Sequence, residues 1–265
     1  MHQGAWLLWA SCGGLVAITT TNPFYLLPLL AVAWVVHAAC ARPGPQARSF
    51  RIFLIFGALT VCTRTALVLF LPSIQMGHVV EAALEGLRLA VLLVVFGAYN
   101  TVSDPFGVLR LSPRRFHEPA LAASLALSIA PRTIAAVSTV REAQRLRGIE
   151  VGRLRNLVGL AVPVLETGME EAVVLAESMD ARGHGRGRRT HYRPELWGWR
   201  ATTISVACIG AVTVAAAALL GDDPSLAMSA FPVVWPEVSA LMLAAIVALS
   251  APAWLPPAQV ARAPR

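Results

Sequence analysis

Six stretches of this chain reach or approach the length and apolarity of a membrane-crossing helix, and the arginines in the connections between them alternate. A crossing helix needs roughly 20 mostly apolar residues. Residues 4–20, 23–40, 52–71, 79–98, 201–220 and 237–255 are the candidates. The first is short, and the fourth carries Glu81, Glu85 and Arg88 ahead of the clean run LAVLLVVFGA. With the N-terminus inside, Arg42, Arg48 and Arg51 fall in one cytoplasmic connection and 15 Arg fall in 99–200. Arg262 and Arg265 fall in a cytoplasmic tail. The three outer connections, near 20–22, 72–78 and 221–236, carry no Arg, and Asp222 and Asp223 lie in the last of them. A cytoplasmic excess of cations in short connections sets the orientation of helical membrane proteins. The expected fold is therefore all-α and polytopic, with about six transmembrane helices and both termini cytoplasmic, in the cell inner (plasma) membrane.

Composition agrees. Of 265 residues, 56% are hydrophobic and only 14% charged, with a mean hydropathy of +0.62. A soluble domain carries about 25% charged residues, so there is too little charge here to cover a water-facing surface. All 22 basic residues are arginine. No Arg precedes the first span, whereas a signal peptide opens on a basic segment. Cys12, Cys40, Cys62 and Cys208 are isolated within or at the ends of apolar stretches and read as small buried hydrophobes. With no CxxC and no Cys/His pair at ligand spacing, neither a metal nor a cofactor is expected.

Three regions follow: 1–98 with membrane helices 1–4, a cytoplasmic stretch 99–200, and 201–265 with membrane helices 5–6 and the tail. Arg64 and Arg88 fall inside spans, where a charge is expensive and usually faces a partner helix or a wet cavity. Glu85 stands three residues before Arg88, a spacing that allows an ion pair along one helix.

The cytoplasmic stretch is helical by pattern. Residues 119–131 are apolar but too short to cross, and Pro131 is expected to start or kink a helix running to Arg147, with Gly148 ending it. A second helix carries Leu154, Leu157, Val158, Ala161, Leu165, Gly168, Met169, Ala172, Ala176 and Met179 at i, i+3, i+4 spacing, an apolar stripe that must lie against something apolar. Pro163 is expected to kink this helix or begin its main part.

The two helices end alike. Glu142-Ala-Gln-Arg-Leu146-Arg147-Gly148 and Glu177-Ser-Met-Asp-Ala181-Arg182-Gly183 both place Glu, four residues, then Arg-Gly. In either one alone, an Arg in the last turn meets the helix dipole favourably by about 0.3–1 kcal/mol, and Gly is the common cap. Two copies in one register suggest more. A guanidinium at a helix tip is a rigid fork of donors, suited to bidentate bonds with carboxylates in an acidic groove, and a neighbouring Gly lets a partner's backbone come close.

The segments LAASLALSIAPRTIAAVSTVREAQRLRG (121–148) and VPVLETGMEEAVVLAESMDARGHG (162–185) are similar to the transmembrane T component of energy-coupling factor transporters, the CbiQ-type family. Asn22-Pro23 at the start of the second span and the Ser103-Asp104-Pro105 turn before the insert fit as well. The resemblance implies a scaffold without catalytic residues. Its coupling helices would dock two ABC-type ATPase subunits, and its membrane part would hold a substrate-binding membrane S component for vitamin or transition-metal uptake. It further implies that Leu146-Arg147-Gly148 and Ala181-Arg182-Gly183 are the ATPase-binding motifs, the first departing from the family's Ala-Arg-Gly pattern by its Leu.

The rivals are a permease of an ordinary ABC importer, whose EAA-x-x-x-G loop is approached by Glu142-Ala-Gln and Gly148, and an integral-membrane lipid or prenyl transferase. Against the latter, the acids are dispersed and no DxxD or HxxxH spacing occurs. Without a Lys the chain holds no phosphate-binding GxxxxGK[ST] loop, so ATP hydrolysis is left to partners. The basic run 182–193, with His184 and His191 as loop residues, is expected to face the lipid bilayer, with no nucleic acid as partner.

Overall fold

The computed structural model describes residues 2–41, 45–70, 76–148, 157–184, 197–229 and 235–255. The side chains of 45–48, 114, 117 and 157–160 are outside that description. Arg42, Leu154, the arginine-rich run after His184 and the tail from 256 lie outside the described residues. In chain order the helices are α1 (Gln3–Thr19), α2 (Pro23–Cys40), α3 (Pro45–Leu69), α4 (Met76–Val102), α5 (Pro105–Arg110), α6 (His117–Leu146), α7 (Leu157–Ala181), α8 (Trp199–Leu220), α9 (Ala240–Ala248) and α10 (Ala251–Trp254), with short 3-10 turns at Arg114–Phe116 and Pro224–Leu226. Among the described residues there is no strand. An all-α polytopic membrane protein is what the apolar spans predict, and it is what the structure contains.

The chain forms two compact units, residues 1–108 with 195–265, and residues 109–194. In the first, α4 packs on α1, α2 and α3, and α8 packs on α1 and α9. Trp9, Tyr25, Leu26, Leu29, Val91, Val94, Ile204, Met242 and Ile246 fill its core. One face of α4, Val91, Val94, Val95, Ala98 and Val102, is buried, at the spacing of a helix facing its neighbours. The α3 helix packs chiefly on α4 and leaves Ile52, Ile55, Phe56, Leu59 and Leu67 outward, as a lipid-facing helix does. Cys12, Cys40 and Cys208 are buried as expected, whereas Cys62 is exposed on that outward face.

Helix ends gather into two sets. At one end His37 of α2 stacks on Phe50 of α3, 3.8 Å between ring centroids, and pairs with Thr101 Oγ1 of α4 at 3.0 Å. Cys40 Sγ donates to the Pro252 carbonyl of α10 at 3.3 Å. At the other end the α1–α2 turn binds the segment after α8. Asn22 Nδ2 donates to the carbonyls of Ser225 (2.8 Å) and Glu237 (3.1 Å), and its Oδ1 caps α2 by accepting from Phe24 N (2.9 Å). Thr20 Oγ1 and Thr21 N both donate to the Leu226 carbonyl, and Ser239 N donates to Tyr25 Oη at 2.7 Å.

Three expectations change. Glu85 pairs with Arg64 across the α3–α4 crossing, not with Arg88 along its own helix. Gly86 explains this: a Cβ there would stand 2.9 Å from the Val61 Cα, so the two backbones are close enough for the Arg64 fork to reach across. The last span, 237–255, is two helices, α9 and α10, because the chain turns at Leu249–Ser250. The turn leaves the Leu249 carbonyl without its helical partner, since Ala253 N bonds Ser250 O instead, and Trp9 Nε1 fills the gap at 2.8 Å. Trp9→Phe orphans that buried carbonyl, at a cost of about 1–3 kcal/mol, and adds the cost of the space left by the smaller ring. A drop in the thermal midpoint of the detergent-purified chain is the expected result, and a midpoint equal to wild type would show that the bond contributes nothing.

The third change concerns the insert. Residues 117–146 are one continuous helix of 30 residues with Pro131 inside it, so Pro131 does not start the helix. A proline removes one backbone donor, and here the helix passes through it. Four described helices are long and apolar enough to cross a membrane by length and composition: α2, α3 from Ser49, α6 from Glu118, and α8. In the second unit α7 likewise runs through Pro163, and α6 and α7 touch each other. Their apolar side chains are uncovered within the chain: Ile134, Val162, Leu165, Met169, Val173 and Val174 are all exposed.

Candidate functional site

The Glu142–Gly148 and Glu177–Gly183 segments form helix tips of one construction. Helix α6 ends at Leu146 and Arg147 takes the cap position, its N–H donating to the carbonyls of Ala143 (3.3 Å) and Gln144 (3.1 Å). Gly148 follows at φ 73°, and its N–H donates to Arg145 O at 3.0 Å. Helix α7 ends at Ala181, Arg182 N donates to Ser178 O at 3.2 Å, and Gly183 follows at φ 75° with its N–H on Asp180 O at 2.8 Å. His184 N then closes back onto Met179 O at 3.0 Å. In α7 this is the complete paired-bond ending of a helix that turns left-handed at its cap, and α6 shares its described half.

The left-handed backbone is what requires glycine at both places. Crowding does not: a Cβ at Gly148 or Gly183 would meet nothing within 4 Å. The space beside each arginine is open. Arg147 and Arg182 are exposed, Leu146 is 90% exposed and Ala181 is exposed. Among the described residues neither guanidinium joins an ion pair or a hydrogen bond, and the only salt bridge is Arg64–Glu85. Both tips therefore present an unspent cation at the end of a rigid helix. In the terms of the helix dipole this is also the favourable end for a cation.

Glu142 and Glu177 are exposed too, but they stand five residues before their arginines, about 140° around the helix at 3.6 residues per turn. They share the tips without sharing the arginine face. The apolar stripe of α7 is legible in the structure as Leu165, Met169, Ala172 and Ala176, all exposed, with Met179 half-buried. Among the described residues, nothing within its own unit covers it. Among the described residues no group of His, Cys, Asp or Glu is placed to hold a metal ion.

Sequence reasoning placed the tips but missed two polar constellations. One is the Asn22 clamp, of which only the Asn-Pro start of a span was visible. The other lies around Gln3, a buried polar residue whose Oε1 accepts from Asp104 N at 3.3 Å. The available signal in both was a polar residue at the very end of an apolar run.

The fold and its apolar helices define a polytopic, all-helical membrane protein. Within that class the chain is similar in sequence to proteins named as transmembrane components of energy-coupling factor transporters. It is 29% identical over 167 residues to "Energy-coupling factor transporter transmembrane protein EcfT" of Bacillus selenitireducens, a match covering 56% of this chain and 62% of that protein. Over 150 residues it is 27% identical to the protein of that name from Bacillus subtilis, covering 50% and 57%. The match to the one from Limosilactobacillus fermentum is longer, 24% over 222 residues, covering 78% of this chain and 79% of the relative. The chain thus spans a little over half the length of the first two. No protein-family profile matches it.

Proposed function

We propose that the chain is the transmembrane scaffold of an energy-coupling factor importer, which passes the ATP-driven motion of two ABC ATPases to a substrate-binding membrane S component. Vitamins and transition-metal ions are the substrate classes this reading implies. The observation that carries it is the pair of matched tips, Arg147-Gly148 and Arg182-Gly183, each open to a partner and each with an unpaired guanidinium among the described residues. A rigid cation on a long helix is suited to transmitting a push or a tilt, because bidentate bonds to carboxylates fix direction as well as distance.

Further support comes from the uncovered apolar faces of α6 and α7, which suit a scaffold that buries them against other subunits or the bilayer. In this reading α6 and α7 form the cytoplasmic coupling region of 99–200 rather than a further crossing, the termini are cytoplasmic, and the membrane is the plasma membrane. Arg132 midway along α6 favours that placement, since a charge at bilayer depth costs several kcal/mol unless partnered. The chain supplies no catalysis of its own, and hydrolysis belongs to the ATPases.

Affinity purification of the tagged chain from its own membranes, followed by mass spectrometry of the intact assembly, tests the reading. The expected composition is this chain, two nucleotide-binding ATPases and one small additional membrane subunit. Two ATPases with a second large permease and no small membrane subunit would instead assign the chain to an ordinary ABC importer.

A further inference from the structure

We infer that the first turn of α1, His2 to Gly4, is a hub joining the two flanks of residues 109–194, Asp104–Gly107 and Trp197, within the membrane bundle, so that motion of either flank enters the bundle through α1. The inference rests on the reading of the chain as a transmitting scaffold. The outgoing end is fixed by Gln3. Its side chain is polar and only 2% exposed, and its Oε1 accepts from Asp104 N. A Cβ on Gly107 would stand 2.5 Å from Gln3 Cγ, so the α5 backbone is pressed directly onto that side chain and only glycine leaves room for it.

The returning end is fixed one residue away. The His2 ring packs on the Trp197 ring with centroids 4.8 Å apart, while its Nδ1 accepts from Gly4 N at 3.1 Å and so caps α1. A Cβ on Gly4 would lie 3.6 Å from the Trp197 ring. Trp197 Nε1 donates to Thr202 Oγ1 at 3.0 Å, which ties the same ring to the first turn of α8. The chain thus leaves for the insert and returns from it through contacts on three successive residues. Beyond them α1 packs on α4 and α8, and Trp9 bonds Leu249 O. A shift of either flank is passed to α1 through a buried, hydrogen-bonded Gln3 side chain on one side and the tilted contact of the His2 and Trp197 rings on the other.

Hydrogen exchange on the full chain in nanodiscs tests this. Gly107→Leu drives a side chain into the place of Gln3, and Gln3→Ala removes the bond to Asp104 without adding bulk. Both act on the outgoing flank. Each is expected to raise amide exchange in the returning flank, Trp197–Ser205, by about tenfold. A rise confined to residues near 107, with Trp197–Ser205 unchanged, overturns the hub. If Gly107→Leu fails to fold, Gln3→Ala decides alone. In the assembly with the ATPases, ATP plus vanadate is expected to change exchange along α1 in wild type and to leave it unchanged in Gln3→Ala. ATPases that bind without any α1 response overturn the hub as well. Failure to capture ATPases counts against the proposed function instead, and the comparison of the two flanks still decides the hub.

Discussion

Alanine at both Arg147 and Arg182 is expected to abolish capture of the ATPase subunits while the chain still inserts and keeps its fold. The arginine side chains make no bond within the described structure, so their removal leaves nothing unsatisfied at home. The cap bonds that end α6 and α7 come from backbone N–H groups and survive. All the loss falls on the partner. Truncating one side of a buried, hydrogen-bonded charge pair costs about 2–5 kcal/mol, much of it from the carboxylate left stranded. Two such sites together weaken binding about a thousandfold or more. Lysine at the same positions keeps the charge but not the planar fork, and is expected to restore only part of the binding. Co-purification of the ATPases with the double alanine variant at wild-type stoichiometry would remove the tips from the mechanism.

The largest effect on stability is expected at Asn22. Its side chain is fully buried and makes three bonds to the main chain, to Ser225 O, Glu237 O and Phe24 N. It caps α2 and pins the α1–α2 turn to the segment between α8 and α9 at once. Asn22→Leu has the same branching but no polar atoms; it strands the buried Ser225 carbonyl, at about 1–3 kcal/mol, and removes the part-buried bonds to Glu237 O and Phe24 N, which water can partly replace. The measurement is the thermal midpoint in detergent, expected to fall by roughly 10 °C. An unchanged midpoint would mean that water or neighbouring groups replace the clamp.

What could be read beforehand divides along physical lines. The membrane helices and the tips are encoded locally, in runs of apolar residues and in an Arg-Gly pair at a helix end, so they were visible in the sequence. Gly148 and Gly183 do adopt the left-handed backbone that a helix-ending glycine predicts. The Asn22 clamp was invisible because its partners are backbone carbonyls more than two hundred positions away, and a carbonyl leaves no trace in residue type. The Glu85 partner was misread because the i,i+3 rule knows only one helix. Gly86 draws α3 near enough for Arg64 to prevail. The length of α6 was misread because Pro131 is a local breaker, whereas a long apolar helix tolerates the loss of one donor.

Site-directed photo-crosslinking from the tips tests the central claim most directly. A crosslinker at Leu146 and, separately, at Ala181 sits one residue from each arginine, on exposed positions that make no bond of their own. In the assembly isolated from native membranes, each position is expected to yield a covalent adduct with an ATPase subunit, one ATPase per tip. Adducts with lipid, with this chain itself or with a different subunit, from both positions and with the ATPases present, would contradict the docking role of the tips.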